Sequence, residues 1–481
     1  MSNELNLDYT LLTPEFCLAG LAAIVLGIDL FAPHVRKEWL PYITAAGLIG
    51  ILGLSLGWVE KESDFAGIIA VDNYTTFFRV FFLATAAVVV LMSAQFVRDR
   101  LKNPGEYYAL LVVSTIGAIY MAASRELLTA YISLEVLSFS LYVLVSFARM
   151  DPRSNEGGLK YMLLGAFASA LLLYGLSFIY GSAGSTFYSD IAAAYAGGTE
   201  SFDLALLMGL VLLLAGLGFK VAAVPFHMWT PDAYEGAPLP ITAYLSATSK
   251  IAGFALLLRL FSSAFMPVID DWQWMFAALA ALTMVLGNLV ALQQSNIKRL
   301  LAYSSIGQVG YMLMAIAALS SGTASALLLH MSGYVVTNLA AFSCIIAWYN
   351  LTDKEEIADM RGMAERAPLL AAALTAALFS LSGMPLFAGF FTKFILFQAV
   401  ADEGFLWLAV IAVVMSFVSL YYYLMVIKEL YISKPEEEGR LQVPLSVTGL
   451  TAALAAGVFY VGIFPRHLFE VAQEATNLLF V

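Results

Sequence analysis

The chain has 481 residues, of which 61% are hydrophobic and only 12% are charged, whereas soluble domains carry about 25% charged residues. Its net charge is −11 and it has no basic tract, so nothing indicates a nucleic-acid partner. Two cysteines cannot supply the four thiolates of an iron–sulfur cluster. Neither a dinucleotide-binding nor a phosphate-binding glycine motif is present. We therefore expect no cofactor and no metal on this chain.

Apolar segments long enough to cross a bilayer recur from end to end, which predicts an all-α polytopic membrane protein. The segments between polar breaks give about 14 spans. The twelfth is too long for one straight crossing, which predicts a break near Gly383 and Pro385. The predicted spans are 9–31, 40–58, 74–97, 107–122, 126–147, 159–181, 204–224, 239–262, 274–293, 300–319, 323–349, 367–400, 404–429 and 444–464.

Basic residues are concentrated in the loops that follow spans 1, 3, 5, 9, 11 and 13. The opposite side carries little beyond Lys61, Arg79, Arg125 and Arg466. By the positive-inside rule, the odd-numbered loops are cytoplasmic and both termini face outward. The first residues lack the basic region of a signal peptide, so the first span is expected to be retained. We expect a location in the inner (plasma) membrane of a bacterium, with an organellar or thylakoid membrane as the alternative.

Two similar halves are visible along the chain. Lys220 and Lys393 both end an Ala-Gly-x-x-x-Lys string beside a Gly/Pro cluster. The segment 125–133 recurs loosely at 299–305, with a similar offset. Spans 4–8 and 9–13 then form two five-helix repeats, each with a broken helix, and the odd number of helices inverts the second repeat. The predicted units are 1–104 (spans 1–3), 105–265 and 266–432 (the repeats) and 433–481 (span 14 and the tail).

Charged residues inside the predicted spans indicate an ion path, because a charge at bilayer depth is costly. Glu135 lies in the middle of span 5, and Lys220 lies near the end of span 7. At roughly 7 Å and an effective dielectric constant of about 20, the two charges would interact by about 2.4 kcal/mol. They would therefore titrate as one coupled unit. A structural ion pair and a lysine that extends to the membrane surface are the alternatives.

Four further residues complete the predicted path. Lys250 lies deep in span 8 among hydroxyl side chains and is expected to relay protons. Lys160 is nearer a span end, so it either contributes or extends to the surface. His227, in a Pro-rich loop, either collects protons at the cytoplasmic mouth or supports the loop. His330 either takes part in transfer beside Lys393 or packs as a hydrogen-bonded core residue.

The second half differs from the first in its acidic residue. Gln308 is expected where the first half has Glu135, so the second half lacks its carboxylate. The two halves therefore cannot be identical channels.

At these residues the sequence resembles the antiporter-like membrane subunits of respiratory complex I, the NADH-quinone oxidoreductase. The similarity extends over nearly the whole chain. The chain stops soon after span 14, and in this it is most similar to the N-type members (subunit 2 of organelles). The strings that carry the resemblance include 218–220 (GFK), 224–227 (VPFH), 229–238 (WTPDAYEGAP), 247–250 (ATSK), 296–306 (NIKRLLAYSSI) and 381–393 (LSGMPLFAGFFTK).

The resemblance implies a proton-translocating subunit in which Glu135 and Lys220 are the coupled pair. It implies that Lys250 connects the halves and that Lys393 is the site of the second half. Flavin, iron–sulfur clusters and quinone are then expected in partner subunits, and the partners would include an M-type antiporter-like subunit and small membrane-arm subunits. A subunit of a multi-subunit cation/proton antiporter and a non-pumping structural subunit are the alternatives. The electron donor and the quinone type stay open.

Overall fold

A computed structural model describes residues 8–32, 37–196, 204–435 and 439–480, most of them helical. In chain order the first ten helices are α1 (Thr13–Phe31), α2 (Leu40–Ser55), α3 (Asn73–Arg100), α4 (Pro104–Ala123), α5 (Leu127–Val145), α6 (Pro152–Ala183), α7 (Tyr188–Tyr195), α8 (Leu204–Val221), α9 (Trp229–Gly236) and α10 (Leu239–Tyr244). The other ten are α11 (Lys250–Ser263), α12 (Ile269–Ala291), α13 (Ile297–Ala317), α14 (Ser321–Thr352), α15 (Met363–Arg366), α16 (Pro368–Ser382), α17 (Ala388–Val400), α18 (Leu406–Tyr431), α19 (Leu445–Ile463) and α20 (Pro465–Thr476).

The predicted membrane architecture is confirmed. Within the described ranges, 13 helices are long and apolar enough to cross a bilayer. The shorter helices α16 and α17 together make the predicted twelfth span, and they are separated where Gly383 adopts a left-handed conformation (φ 89°). Glycine is favoured at such a helix end because it has no Cβ to clash. Helix α8 is likewise separated from α9 by residues 222–228. Both predicted breaks are therefore present.

The two halves share a local construction at the start of their second helices. Glu126 precedes α5 and accepts the backbone N–H groups of the first turn, and Asn296 does the same for α13. Each residue also forms an isolated β-bridge, Glu126 to Phe187 and Asn296 to Glu356. The long helices α6 and α14 that lie between each bridged pair have 32 residues each. The helix cap, the isolated bridge and the 32-residue helix therefore occur once in each half.

These caps correct the predicted correspondence between the halves. The offset from Glu126 to Asn296 is 170 positions, whereas the match of Glu135 with Gln308 needs an offset of 173. Aligning the caps places Ser305 at the position of Glu135. Gln308 then corresponds to Ser138, close to one helical turn further along. The sequence match was displaced because both helices are rich in leucine and serine and give a weak register.

Some elements were not predicted. Strands β1 (Ser63–Phe65) and β2 (Ile69–Val71) form a short antiparallel hairpin between α2 and α3. Helix α20, after the last crossing, packs on α14 and α3. Neither element carries a long apolar segment, and a long apolar segment is the signal that predicts a span.

A buried ion pair ties α3 to α11, the helix that begins with Lys250. Asp72 caps α3 by accepting the N–H of Thr75 at 2.8 Å. Arg259 on α11 is 3% exposed and donates to both carboxylate oxygens of Asp72, each at 2.8 Å. Burial alone would raise the pKa of Asp72, but the charge and hydrogen bonds of Arg259 outweigh burial and lower that pKa to about 2. The pair therefore stays ionised at neutral pH.

Asp72→Asn tests this anchor. Asparagine caps a helix about as well as aspartate, so the substitution removes the ion pair and leaves the buried Arg259 charge unpaired. We expect the free energy of unfolding to fall by about 3–5 kcal/mol. Because a lowered carboxyl pKa contributes stability that is lost only as pH falls below about 4 towards 2, the loss should not vary between about pH 5 and 8. Thermal denaturation of the purified protein measures both, and Asp8→Asn, at an exposed cap, is the control. Equal stability of the two variants would contradict the anchor.

Gly389→Ala tests the packing at the second helix break. A Cβ on Gly389 would lie 1.7 Å from the backbone oxygen of Ser380, whereas a Cβ on Gly449 would meet nothing within 4 Å. We expect Gly389→Ala to cost about 1–3 kcal/mol or more, since the backbone of α16 must move. Gly449→Ala should be close to neutral. Retention of wild-type thermal stability by Gly389→Ala would show that the close approach of α16 and α17 is wrong.

Candidate functional site

Three predicted lysines lie in the protein interior, and each is at a discontinuity in a helix. Lys220, Lys250 and Lys393 are 3%, 1% and 4% exposed. Lys220 is next to the last residue of α8, and Lys250 follows a π-helical turn at Leu245–Ser249. Lys393, on α17, packs against Gly383 at the end of α16. Irregular backbone is tolerated at membrane depth only where protein or water covers it, so these breaks mark polar places inside the bundle.

Lys220 contacts helix α5 next to Glu135. Its ammonium donates to Ser138 Oγ at 2.9 Å. Glu135 is half-buried and accepts a hydrogen bond from the hydroxyl of Ser169 on α6. Among the residues described, Lys220 forms no ion pair shorter than 4.0 Å with a carboxylate. Glu135 and Ser138, the hydroxyl partner of the Lys220 ammonium, therefore lie about one turn apart on α5, and Lys220 reaches that face from α8.

Lys250 lies where the two repeats meet. Its ammonium donates to the hydroxyl of Ser305 on α13 and lies 5.2 Å from the ring centroid of Tyr234 on α9. The hydroxyl of Ser305 is 3.5 Å from the hydroxyl of Tyr234. Since Ser305 occupies the position that corresponds to Glu135, the first repeat's Lys250 contacts the second repeat's counterpart of that carboxylate. The contact partner of Lys250 is thus a neutral hydroxyl on α13, and a connecting role for Lys250 stays a prediction.

Lys393 takes its main partner from the broken helix. Its ammonium donates to the carbonyl oxygen of Leu381 at 2.7 Å, and Gln308 Nε2 donates to the same oxygen at 3.1 Å. The ring of Tyr311 lies 4.8 Å from the ammonium. Because α16 ends at Ser382, this carbonyl has no helical N–H to accept. The helix break thus supplies the acceptor that a carboxylate would otherwise provide.

The two predicted histidines, His227 and His330, are both buried. His330 on α14 is 1% exposed, and its Nδ1 is 3.1 Å from the hydroxyl of Thr392, the neighbour of Lys393. Its Nε2 is buried without a hydrogen-bond partner. His227 lies in the break between α8 and α9 and is only 7% exposed, with Nδ1 also unpartnered. The side chain of His227 is thus buried in this chain, and its two predicted roles, collecting protons at the mouth and supporting the loop, stay predictions.

Lys160 belongs to an ion-pair network at the loop end of the bundle. Its side chain is 45% exposed and contacts Glu156 at 2.7 Å and Asp232 at 2.8 Å. Asp232 also pairs with Arg299 on α13 at 2.9 Å, which links the two repeats. Of the two predicted alternatives, the structure places Lys160 at the surface, because its long side chain extends to carboxylates there.

A chain of buried hydroxyl and amide groups was missed by the sequence analysis. The hydroxyls of Ser304 and Tyr423 are hydrogen-bonded. Tyr422, the residue before Tyr423, donates to Asn288 Oδ1 at 3.1 Å, and Asn288 Nδ2 is 3.3 Å from the hydroxyl of Tyr311. These groups extend from the neighbour of Ser305 to the ring beside Lys393. The three consecutive tyrosines at 421–423 were the available signal, but tyrosines in membrane helices are common at interfaces.

Among the described residues, the partners of the three lysines are neutral polar groups and aromatic rings. No group of three or more His, Cys, Asp or Glu side chains that could hold a metal ion occurs within the described part of the chain. The three lysines contact hydroxyl oxygens, a carbonyl oxygen and aromatic rings. Hydroxyl groups both donate and accept hydrogen bonds, so they can pass protons between fixed ammonium groups.

The chain matches known proteins along its length. Residues 124–419 match the family model described as NADH:quinone oxidoreductase/Mrp antiporter, transmembrane. The NADH-quinone oxidoreductase subunit N of Moorella thermoacetica is 43% identical over 475 residues, which cover 98% of this chain and 99% of the relative. The NAD(P)H-quinone oxidoreductase subunit 2 of a Picosynechococcus species is 40% identical over 96% of this chain and 91% of the relative.

Solved structures show the same fold. A chain of respiratory complex I from Thermus thermophilus with bound aureothin is 32% identical, has a TM-score of 0.80, and aligns over 96% of this chain and 100% of that chain. A chain of the Mrp complex from a Dietzia species is 21% identical with a TM-score of 0.84, over 97% of this chain and 98% of that chain. The predicted resemblance is confirmed. The chain therefore belongs to the family of membrane subunits shared by NADH:quinone oxidoreductases and Mrp antiporters.

Proposed function

We propose that this chain is an N-type, proton-translocating membrane-arm subunit of an NADH-quinone oxidoreductase. The subunit N relative at 43% identity and the complex I chain with a TM-score of 0.80 support this assignment. Flavin, iron–sulfur clusters and quinone belong to partner subunits, with antiporter-like and small membrane subunits as neighbours. The protein lies in the plasma membrane of a bacterium, with both termini outward. The proposal includes the division of the chain into spans 1–3 (1–104), two repeats (105–265 and 266–432), and span 14 with the tail (433–481).

The observation that carries the proposal is a set of three buried lysines that form no ion pair with a carboxylate among the residues the structure describes. The effective cost of burying an ion is several kcal/mol. For an ammonium that is stabilised only by neutral oxygens, the free-energy difference between the charged and the neutral form is therefore small. A charge that arrives nearby shifts that balance, which is what a coupled pump needs.

The expected electrostatic coupling between Glu135 and Lys220 is comparable with the free energy needed to move one charge across the membrane. Two unit charges about 7 Å apart interact by about 2.4 kcal/mol at an effective dielectric constant of about 20. Moving one charge against 100 mV requires about 2.3 kcal/mol. A charge change at Glu135 can thus favour release of a proton from Lys220, and transfer continues to Lys250 and then to Lys393. The hydroxyl chain from Ser304 to Tyr311 supports the last step.

The fold also suits a cation/proton antiporter subunit, because the Mrp chain has a TM-score of 0.84. Sodium prefers oxygen-rich coordination, as hard cations do. The interior here presents mainly lysine ammonium groups, which repel a cation. The lysine set therefore favours proton transfer over sodium binding.

Lys220→Gln and Glu135→Gln test the coupled site. We expect each to lower the proton-pumping rate of the assembled complex at least about tenfold, since a barrier increase of about 1.4 kcal/mol has that effect. Lys434→Gln removes an exposed lysine outside the site and is the matched control. Pumping is followed in inverted membrane vesicles by quenching of a pH-sensitive dye, with NADH oxidation and subunit content measured in parallel. Normal pumping with normal assembly in both variants would contradict the transport role. Loss of assembly alone would favour a structural subunit.

Ser305→Asp tests whether Lys250 must change its charge. A carboxylate at this position would hold Lys250 as an ammonium, because a direct partner stabilises the charged form. We expect Ser305→Asp to slow pumping more than Ser305→Ala, which only removes a hydrogen-bond acceptor. Ser343→Ala, at a buried serine that donates to Ala340, controls for loss of a hydroxyl. If Ser305→Asp pumps as well as wild type, Lys250 has a fixed charge and is no relay.

A further inference from the structure

Two of the three buried lysines have a tyrosine ring beside the ammonium group. The Lys250 ammonium lies 5.2 Å from the ring centroid of Tyr234, and the Lys393 ammonium lies 4.8 Å from that of Tyr311. Both tyrosine side chains are buried. A cation within about 6 Å of a ring centroid is attracted by the quadrupole of the ring, and the attraction grows where water is excluded. Each ring therefore stabilises the charged form of its lysine.

The first ring is held in place by the short helix α9, which lies in the break after α8. Arg299 on α13 pairs with Asp232 at 2.9 Å and with Glu235 at 2.7 Å. These two acidic residues flank Tyr234 in the sequence. The carbonyl oxygen of Tyr234 also accepts a hydrogen bond from the hydroxyl of Thr242 at 2.9 Å. Contacts on both sides of the tyrosine therefore fix the ring beside the lysine that follows the π-helical turn.

The second ring is held between α12, α17 and α18. The ring of Tyr311 packs against that of Phe397 with the centroids 5.5 Å apart, and Phe397 lies about one turn after Lys393 on α17. The hydroxyl of Tyr311 is 3.3 Å from Asn288 Nδ2 on α12 and 3.5 Å from Ser416 Oγ on α18. Both ends of the tyrosine side chain are thus in contact with neighbouring helices, which keeps the ring beside the ammonium.

A ring stabilises an ammonium in a different way from a carboxylate. The ring has no net charge, so its attraction for a cation is weaker than that of a full negative charge at close range. A carboxylate in direct contact would hold the proton on the lysine more firmly. Lys220 has another arrangement, because its ammonium contacts α5 about one turn from Glu135. The rings thus favour the protonated state of Lys250 and Lys393 and still allow the proton to leave.

We propose that Tyr234 and Tyr311 are positioning residues for proton transfer, and that the face of each ring sets how readily its lysine accepts and holds a proton. This inference rests on the proposed transport function. The ring increases the fraction of time for which the neighbouring lysine is protonated, so a proton that leaves one lysine is accepted by the next. The hydroxyl groups hold the rings in position, and the stabilisation of the ammonium comes from the ring face.

Fluorination of the ring tests the role of its face. The assembled complex carries Tyr234→Phe, or the same substitution with one, two or three fluorine atoms on the ring, which weaken the quadrupole with little change in size. The hydroxyl is absent from every member of this series. We expect the rate of proton pumping to fall with each added fluorine, within the roughly two- to thirtyfold range of a full cation–π interaction. The same series at Tyr311 should show the same trend, and a constant rate through both series would overturn the proposal.

Tyr107 provides the matched control, because its buried ring packs against the rings of Tyr108 and Phe147. The fluorinated series at Tyr107 should pump at a constant rate, with subunit content measured for every member. An equal fall at Tyr107 and Tyr234 would attribute the effect to packing and would overturn the proposal.

Lys250→Met separates this inference from the proposed function. If the assembled Lys250→Met complex loses pumping while the fluorinated series at Tyr234 and Tyr311 stay constant, the rings have no role and the transport function stands. If the assembled Lys250→Met complex pumps as well as wild type, the transport role of the lysine fails, and the inference about its ring fails with it. A fall with fluorine content together with loss of pumping in Lys250→Met is the result that we expect.

Discussion

The cost of holding a lysine ammonium inside a membrane bundle is the constraint on which the site depends. Lys220, Lys250 and Lys393 are all buried, and each is stabilised by oxygens of neutral groups. Regular helices have no free backbone acceptors except at their ends. Broken helices create such ends at membrane depth. The discontinuities beside these lysines can therefore supply acceptors for the buried ammonium groups. A direct carboxylate at each lysine would lower the cost further, but it would also fix the proton in place.

The two inverted halves use the same backbone for different electrostatic tasks. Alignment by the helix caps puts Ser305 at the position of Glu135 and Gln308 at the position of Ser138. In the first half, the ammonium of Lys220 on α8 contacts α5 about one turn from the carboxylate of Glu135. In the second half, the position of the carboxylate is a serine that accepts a hydrogen bond from Lys250. The acidic group of the first half is thus replaced in the second half by a neutral hydroxyl that contacts Lys250.

The sequence was sufficient for the spans, the helix breaks near Gly383 and beside Lys220, and the buried lysines, because long apolar segments and rare intramembrane charges are strong signals. The register of the repeat was not accessible, since it depends on Glu126 and Asn296 as helix caps, and short polar residues before a helix are common. The partners of the lysines were also missed, because a hydroxyl or a free carbonyl such as that of Leu381 acquires its role only from the packing.

The central claim is that the buried lysines carry protons and do not merely hold the helices together. The most direct measurement is the rate of proton translocation by the complex with Lys250→Met, reconstituted in proteoliposomes after its subunit content has been found normal. Methionine fills a similar volume and suits an apolar interior, so the helices should pack as before. The account predicts that translocation falls at least about tenfold. Wild-type translocation by the assembled Lys250→Met complex would contradict it.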